Sequence, residues 1–138
     1  MKLLSSIPFI KTTSPKQIIS DSWIDRSSVH DSDVNLFVWK RPIDSATTAY
    51  LIALIERISG AIQFQAELAH LDEQLEQARQ QWDKHELQEG LSFWNDVSRL
   101  VRDFLTLSNR DTGTVHLKVV DTNSCAKFHT DGYSLRLF

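Results

Sequence analysis

AIQFQAELAHLDEQLEQARQQWDKHEL, residues 61–87, is the stretch whose reading decides the fold. Phe64, Leu68, Leu71, Leu75, Ala78 and Trp82 recur at spacings of four and three. That is the seam of a long amphipathic helix, and the spacing predicts one from residue 61 to about residue 87. Gly90 ends the run. A second seam follows over 92–107, carried by Phe93, Val97, Leu100, Phe104 and Leu107. Two such helices joined at Gly90 suit an antiparallel helical hairpin. Upstream, Asp44 or Ser45 can cap a third helix through Leu51, Leu54, Ile55 and Ile58, broken at Gly60.

Outward from these helices the pattern loses its helical period. Residues 1–33 are rich in Ser, Thr and Asp, with Pro8 and Pro15, and read as an irregular arm. A short helical turn is expected near 16–21, opened by Ser14-Pro15. Asn35-Leu36-Phe37-Val38-Trp39-Lys40 is a β-rich run stopped by Pro42. Residues 109–113 form a turn by composition. Beyond it Val115, Leu117 and Val119 alternate with His116, Lys118 and Val120, the signature of a half-buried strand over 114–120. Asp121-Thr122-Asn123-Ser124 is a second turn, residues 125–131 a second β-segment, Gly132 a bend, and 133–138 the start of a third. The expected architecture is α+β: an arm over 1–33 and one domain over 34–138, in which three helices, two of them a hairpin, precede a sheet.

With 138 residues the chain can bury roughly two thirds of its surface. A net charge of −3, and no basic cluster beyond Lys40-Arg41, argue against a nucleic-acid or acidic-membrane partner. The single cysteine, Cys125, cannot form an internal disulfide. The opening Met1-Lys2-Leu3-Leu4 is interrupted by Ser5, Ser6 and Pro8, too early for a signal peptide. No stretch approaches the ~20 apolar residues of a membrane helix. A cytoplasmic location is the expectation.

Two His-x-Asp triplets occur. His70 and Asp72 fall in the expected long helix, where two positions are about 200° apart, so they face opposite ways and cannot share an ion. They read as solvated polar residues. His129 and Asp131 fall in a β-segment, where residues two apart share a face. An imidazole and a carboxylate so placed are two thirds of the facial triad that holds Fe(II). A three-residue match also arises by chance, and the ordinary alternative is a strand-end histidine beside an aspartate capping the Gly132 turn. Cys125 shares their parity, and a Cys-His-Asp set favours Zn²⁺ instead. A buried, inert thiol is the commoner fate of a free cysteine. Arg136 can pair with an anionic ligand or with Asp131. His30-Asp31-Ser32-Asp33 reads as a solvated loop, and His116 as a surface histidine that could meet the face of His129. Trp39, Trp82 and Trp94 read as packing residues. The seven acidic residues between 61 and 90 make a solvated face that can also receive a basic partner.

Cys125-Ala126-Lys127-Phe128-His129-Thr130-Asp131, with Leu135-Arg136-Leu137 after it, resembles the bacterial domain-of-unknown-function 1826 family and its Cys-x-x-Phe-His-x-Asp core leading into Leu-Arg-Leu. Asn35-Leu36-Phe37-Val38-Trp39-Lys40-Arg41-Pro42 is similar to that family's opening strand motif, so the resemblance spans roughly 34–138. It implies a double-stranded β-helix of the cupin or jelly-roll kind, with His129 and Asp131 as metal ligands. It also implies continuation into a Gly-Pro-Gly-Thr segment and a later histidine, which makes this chain read as truncated and inactive by itself. The parent is then expected to be an Fe(II)/2-oxoglutarate oxygenase. Zinc-responsive gene neighbourhoods in the family leave a non-catalytic zinc protein as the alternative, and a helical-hairpin interaction module as a third. The apolar end over 135–138 would offer a strand edge for self-association.

Overall fold

In the computed structural model, residues 14, 16–58, 60–84 and 90–119 are described. The chain divides into two compact units between Pro42 and Ile43.

In the first unit, strand β1 (Lys16–Ser20) runs parallel to strand β2 (Val34–Trp39), with Ile18 opposite Phe37 and Ile19 opposite Val38. A 3-10 segment (Trp23–His30) makes the crossover, its start capped by the Ser22 hydroxyl, which accepts from the Ile24 amide at 3.3 Å. The helical turn expected near 16–21 is therefore a strand. Ile18 and Ile19 are β-branched, and β2 supplies a partner for their backbone groups that a single helical turn would leave unpaired. The β2 run itself is where its composition placed it. Trp23 and Trp39 pack ring on ring at 4.7 Å, with the Arg41 guanidinium 4.8 Å above Trp39 and that of Arg26 5.2 Å from Trp23.

The second unit begins with helix α1 (Ser45–Ile55). The Asp44 carboxylate caps it, accepting from the Thr47 amide at 2.7 Å and the Thr47 hydroxyl at 2.9 Å. Those bonds, the Thr47 amide first, hold the Asp44 carboxyl below its ordinary range. Thr47, Tyr50 and Leu54 line the inner face. At Gly60 the backbone takes φ +81°, which favours glycine, and the chain turns into strand β3 (Ala61–Glu67). A 3-10 turn (Leu68–His70) leads into helix α2 (Leu71–Trp82). Helix α3 (Gly90–Leu107) follows, and Asn109, at φ 51°, closes it by the left-handed turn typical of helix ends. Strand β4 (Thr112–Lys118) then pairs antiparallel with β3, Ile62 opposite Leu117 and Phe64 opposite Val115.

The core gathers Tyr50 and Leu54 from α1, Ile62 and Ala66 from β3, Leu71, Leu75 and Ala78 from α2, and Trp94 from α3. α3 lies against α1, α2 and β4, and α2 against β3. Gln74 fastens α2 to β3: its amide oxygen accepts from the Glu67 N–H at 2.9 Å, and its nitrogen donates to the Gln65 carbonyl at 3.0 Å.

This architecture corrects the expected fold class. The chain is α+β, and three α-helices occur among the described residues, but the order is not a helical hairpin followed by strands. The first ten residues of the expected long helix are a strand and a 3-10 turn, and strands β1, β2 and β3 all precede α2. Ile62, Phe64 and Ala66 turn inward while Gln63, Gln65 and Glu67 face out. Pairing with β4 satisfies the backbone and buries that alternating face, so tertiary pairing overrides the helical propensity of Ala, Gln and Glu. The double-stranded β-helix is not found among the described residues either. They hold two separate two-stranded sheets, β1 with β2 and β3 with β4, not the eight-stranded arrangement of such a barrel.

Candidate functional site

Buried polar side chains meet inside the second unit. Tyr50, one turn and a half into α1, aims its hydroxyl past the end of α2, where Asp83 follows the last helical residue. The Trp94 indole N–H donates to the Tyr50 hydroxyl at 2.7 Å, and that hydroxyl donates to Asp83 Oδ2 at 3.1 Å. Tyr50 is 1% and Asp83 3% exposed, so the relay is removed from solvent. Burial pushes the Tyr50 phenol up to about 12, and the nearby Asp83 charge adds to the rise, against the Trp94 hydrogen bond. The arrangement fixes a neutral phenol between one donor and one acceptor. It is a means of satisfying buried polar groups where three helices converge.

That shift has a stability consequence of definite sign. An unfolded tyrosine ionises near pH 10, while Tyr50 holds its proton until about pH 12. The native state then binds more protons in that window, so the contribution is intact below pH 10 and lost as pH climbs through 12. Alkaline unfolding followed by circular dichroism is expected to steepen between those values. Tyr50→Phe should flatten it, and an unchanged profile would contradict the buried phenol.

The other polar clusters are spent on structure. Asp44 Oδ2 also accepts from the Ser92 hydroxyl at 3.2 Å, fastening the start of α1 to α3. The Asp72 carboxylate binds Arg102 at 2.6 Å and Ser98 at 3.4 Å, tying α2 to α3. Asp72 is thus engaged away from His70, which lies in the 3-10 turn before α2. The long helix expected to carry both residues begins only at Leu71, so His70 is not part of it. His30, Asp31 and Asp33 are all exposed around the turn before β2. Among the described residues, no group of three His, Cys, Asp or Glu side chains is arranged to hold a metal ion.

His116, a surface histidine by its sequence pattern, lies in β4. It is exposed on the polar face of β4, opposite Gln63 of β3. Cys125, His129, Asp131 and Arg136, the residues the sequence singles out as ligands and anion partner, lie outside the described residues, as does the strand edge expected to support self-association. Trp94 and Trp82 do pack into or against the core, as packing residues. The relay of Tyr50 and Asp83 carries no sequence signal: the two are 33 positions apart, and Asp83 reads as one more acid on a solvated helix. No helix among the described residues is long and apolar enough to cross a membrane.

The model of one protein family matches residues 20–138, and its description is a protein of unknown function, DUF1826. Neither the curated proteins nor the solved structures contain a match to the chain.

Proposed function

The chain belongs to the DUF1826 family of proteins of unknown function, and from that membership and its His-x-Asp pair we propose that it binds a divalent transition-metal ion through His129 and Asp131. The observation carrying this reading is their spacing of two in the sequence, which in a strand would project an imidazole and a carboxylate from one face. The donor set suits ferrous iron, which accepts nitrogen and carboxylate ligands and keeps positions open. Ferrous iron so held would supply oxygen-dependent oxidation with an oxo-acid such as 2-oxoglutarate as co-substrate. Arg136 would anchor the co-substrate carboxylate. This reading rests on the donors alone, without the β-helix that the family resemblance implied.

A second reading has its own observation. Cys125 shares the parity of His129 and Asp131, and sulfur, nitrogen and oxygen donors together favour zinc in a closed tetrahedral site. The helical-hairpin module loses its premise, because the first seven residues of the longer helix, Ala61–Glu67, are a strand.

Calorimetric titration of the metal-free chain with Fe(II), under argon, and with Zn(II) tests both readings. His129→Ala and Asp131→Ala are each expected to weaken binding at least as much as the ~10–100-fold lost with a mere supporting partner of a ligand. Cys125→Ala should weaken Zn(II) alone if the second reading holds. Binding left intact by all three substitutions overturns the proposal.

A further inference from the structure

Helix α1 has no charged side. From Ser45 to Ile55 it carries no Asp, Glu, Lys or Arg, whereas α2 and α3 both do. A helix without a charged or strongly polar face is normally covered all round. Thr47, Tyr50 and Leu54 account for the covered side of α1. On the side they leave to solvent, Thr48, Ile52 and Ile55 recur at spacings of four and three, with Ile52 59% and Ile55 50% exposed. The Thr48 hydroxyl donates to the Asp44 carbonyl at 3.0 Å, so the one polar group within that stripe already has a partner.

Shape and charge together select what covers this face. The amino-terminal half of the outer side is small, with Ser45, Thr48 and Ala49, and the carboxyl-terminal half is large, with Ile52 and Ile55; all five are exposed. A second α1 laid antiparallel across it matches large to small. Ile52 of each copy comes against Thr48 and Ala49 of the other, and Ile55 against Ser45. Small residues in each contact let the two axes approach within the usual 8–10 Å of packed helices. The charges agree with that direction. Asp44 stands at the amino end of α1, and exposed Arg57 just past its carboxyl end. Antiparallel copies therefore set Arg57 of each near Asp44 of the other, bring Glu56 to the positive amino end of the opposite helix, and align the two helix dipoles head to tail. A parallel pair would oppose Asp44 to Asp44, Glu56 to Glu56 and Arg57 to Arg57.

We propose that the outer face of α1 is the contact of a two-fold homodimer in which the two copies of α1 pack antiparallel. Such an interface is self-complementary, as two-fold symmetry requires. It is also small. The helix has 11 residues, a length of about 16 Å, and its contact falls below the roughly 1,200 Å² of standard stable interfaces, so the dimer is reversible. The metal-binding reading is independent of it.

Sedimentation equilibrium of the full chain, from about 10 μM to about 1 mM, is the test. The weight-average mass is expected to rise with concentration from monomer towards dimer. Ile52→Glu places a carboxylate at the centre of the contact and should weaken association by about thirtyfold or more, the loss typical of a central interface residue. Its circular dichroism spectrum should be unchanged, because the side chain it replaces is exposed. Ile24→Glu, at an exposed isoleucine of the first unit, should associate like the parent. Direction is read by disulfide trapping in a Cys125→Ala background: Ser45→Cys and Glu56→Cys chains should cross-link when mixed and not when alone. A parent that stays monomeric to about 1 mM overturns the proposal, as does an Ile52→Glu protein that still dimerises. Cross-linking of each cysteine variant with itself alone overturns the antiparallel contact.

Discussion

Trp94→Ala is expected to cost the second unit about 3–5 kcal/mol, the range for deleting a large buried aromatic. The indole is 5% exposed and fills the space between α1 and the inner side of α3. Phe93 stands edge-on to it at 5.3 Å, and the Tyr50 ring lies 5.7 Å from Phe93, so three aromatic side chains brace one another. The substitution also removes the N–H that donates to the Tyr50 hydroxyl, leaving that oxygen dependent on Asp83 alone. Urea titration followed by circular dichroism measures the loss, and Trp94→Phe separates its two parts. Phenylalanine keeps most of the ring and omits the donor, so it should cost less than alanine, with about 1 kcal/mol of its effect coming from the hydrogen bond. A Trp94→Ala protein within ~1 kcal/mol of the parent would mean that the core is not organised around this residue.

The contrast between Trp94 and Phe64 shows where the fold was legible and where it was not. Phe93, Val97, Leu100, Phe104 and Leu107 satisfy only a helical period, and α3 is where that period predicts it, although the residues it buries deepest, Trp94 and Leu105, stand one position along from that seam. α1 was equally readable, because Asp44 is a cap type followed by apolar residues at helical spacing, and β4 because Val115 and Leu117 alternate with polar neighbours. Phe64 satisfies two periods at once. It is four residues before Leu68 and seven before Leu71, which fits a helix, and two from Ile62 and from Ala66, which fits a strand. Locally rich in Ala, Gln and Glu, the segment inclines to helix by propensity. The choice is made by β4, about 50 positions away, whose ladder gives β3 its backbone partners. No window of residues centred on Phe64 contains that information.

The polar relay was hidden for the same reason. Asp83 acquires its meaning from where α1 places Tyr50, and only the packing of α1, α2 and α3 brings the two together. The candidate ligands are the reverse case: His129 and Asp131 are conspicuous in the sequence and lie outside the described residues, so their proposed role is argued from parity and donor chemistry.

Gly90→Ala is expected to destabilise the second unit by about 1–3 kcal/mol, the usual cost of forcing a methyl group into filled space, although alanine is the better helix former. A Cβ at this position would lie 2.6 Å from Tyr50 Cε2 and 2.7 Å from Cζ, closer than such atoms approach in real proteins. One of the two must move. The Tyr50 ring cannot give way freely, because its hydroxyl is held by Trp94 on one side and Asp83 on the other and almost none of its surface reaches solvent. Shifting it loosens both hydrogen bonds, each worth about 1 kcal/mol, while shifting the helix disturbs Trp94 four residues on. The glycine therefore does more than end one helical seam: its missing side chain is the space that Tyr50 occupies. A double-mutant cycle in thermal or urea unfolding tests this directly. In a Tyr50→Leu background, where the ring atoms facing Gly90 are gone, the alanine should cost nothing further and can recover its helix-forming advantage. Equal penalties in the two backgrounds would show that the space at Gly90 is required by something other than Tyr50.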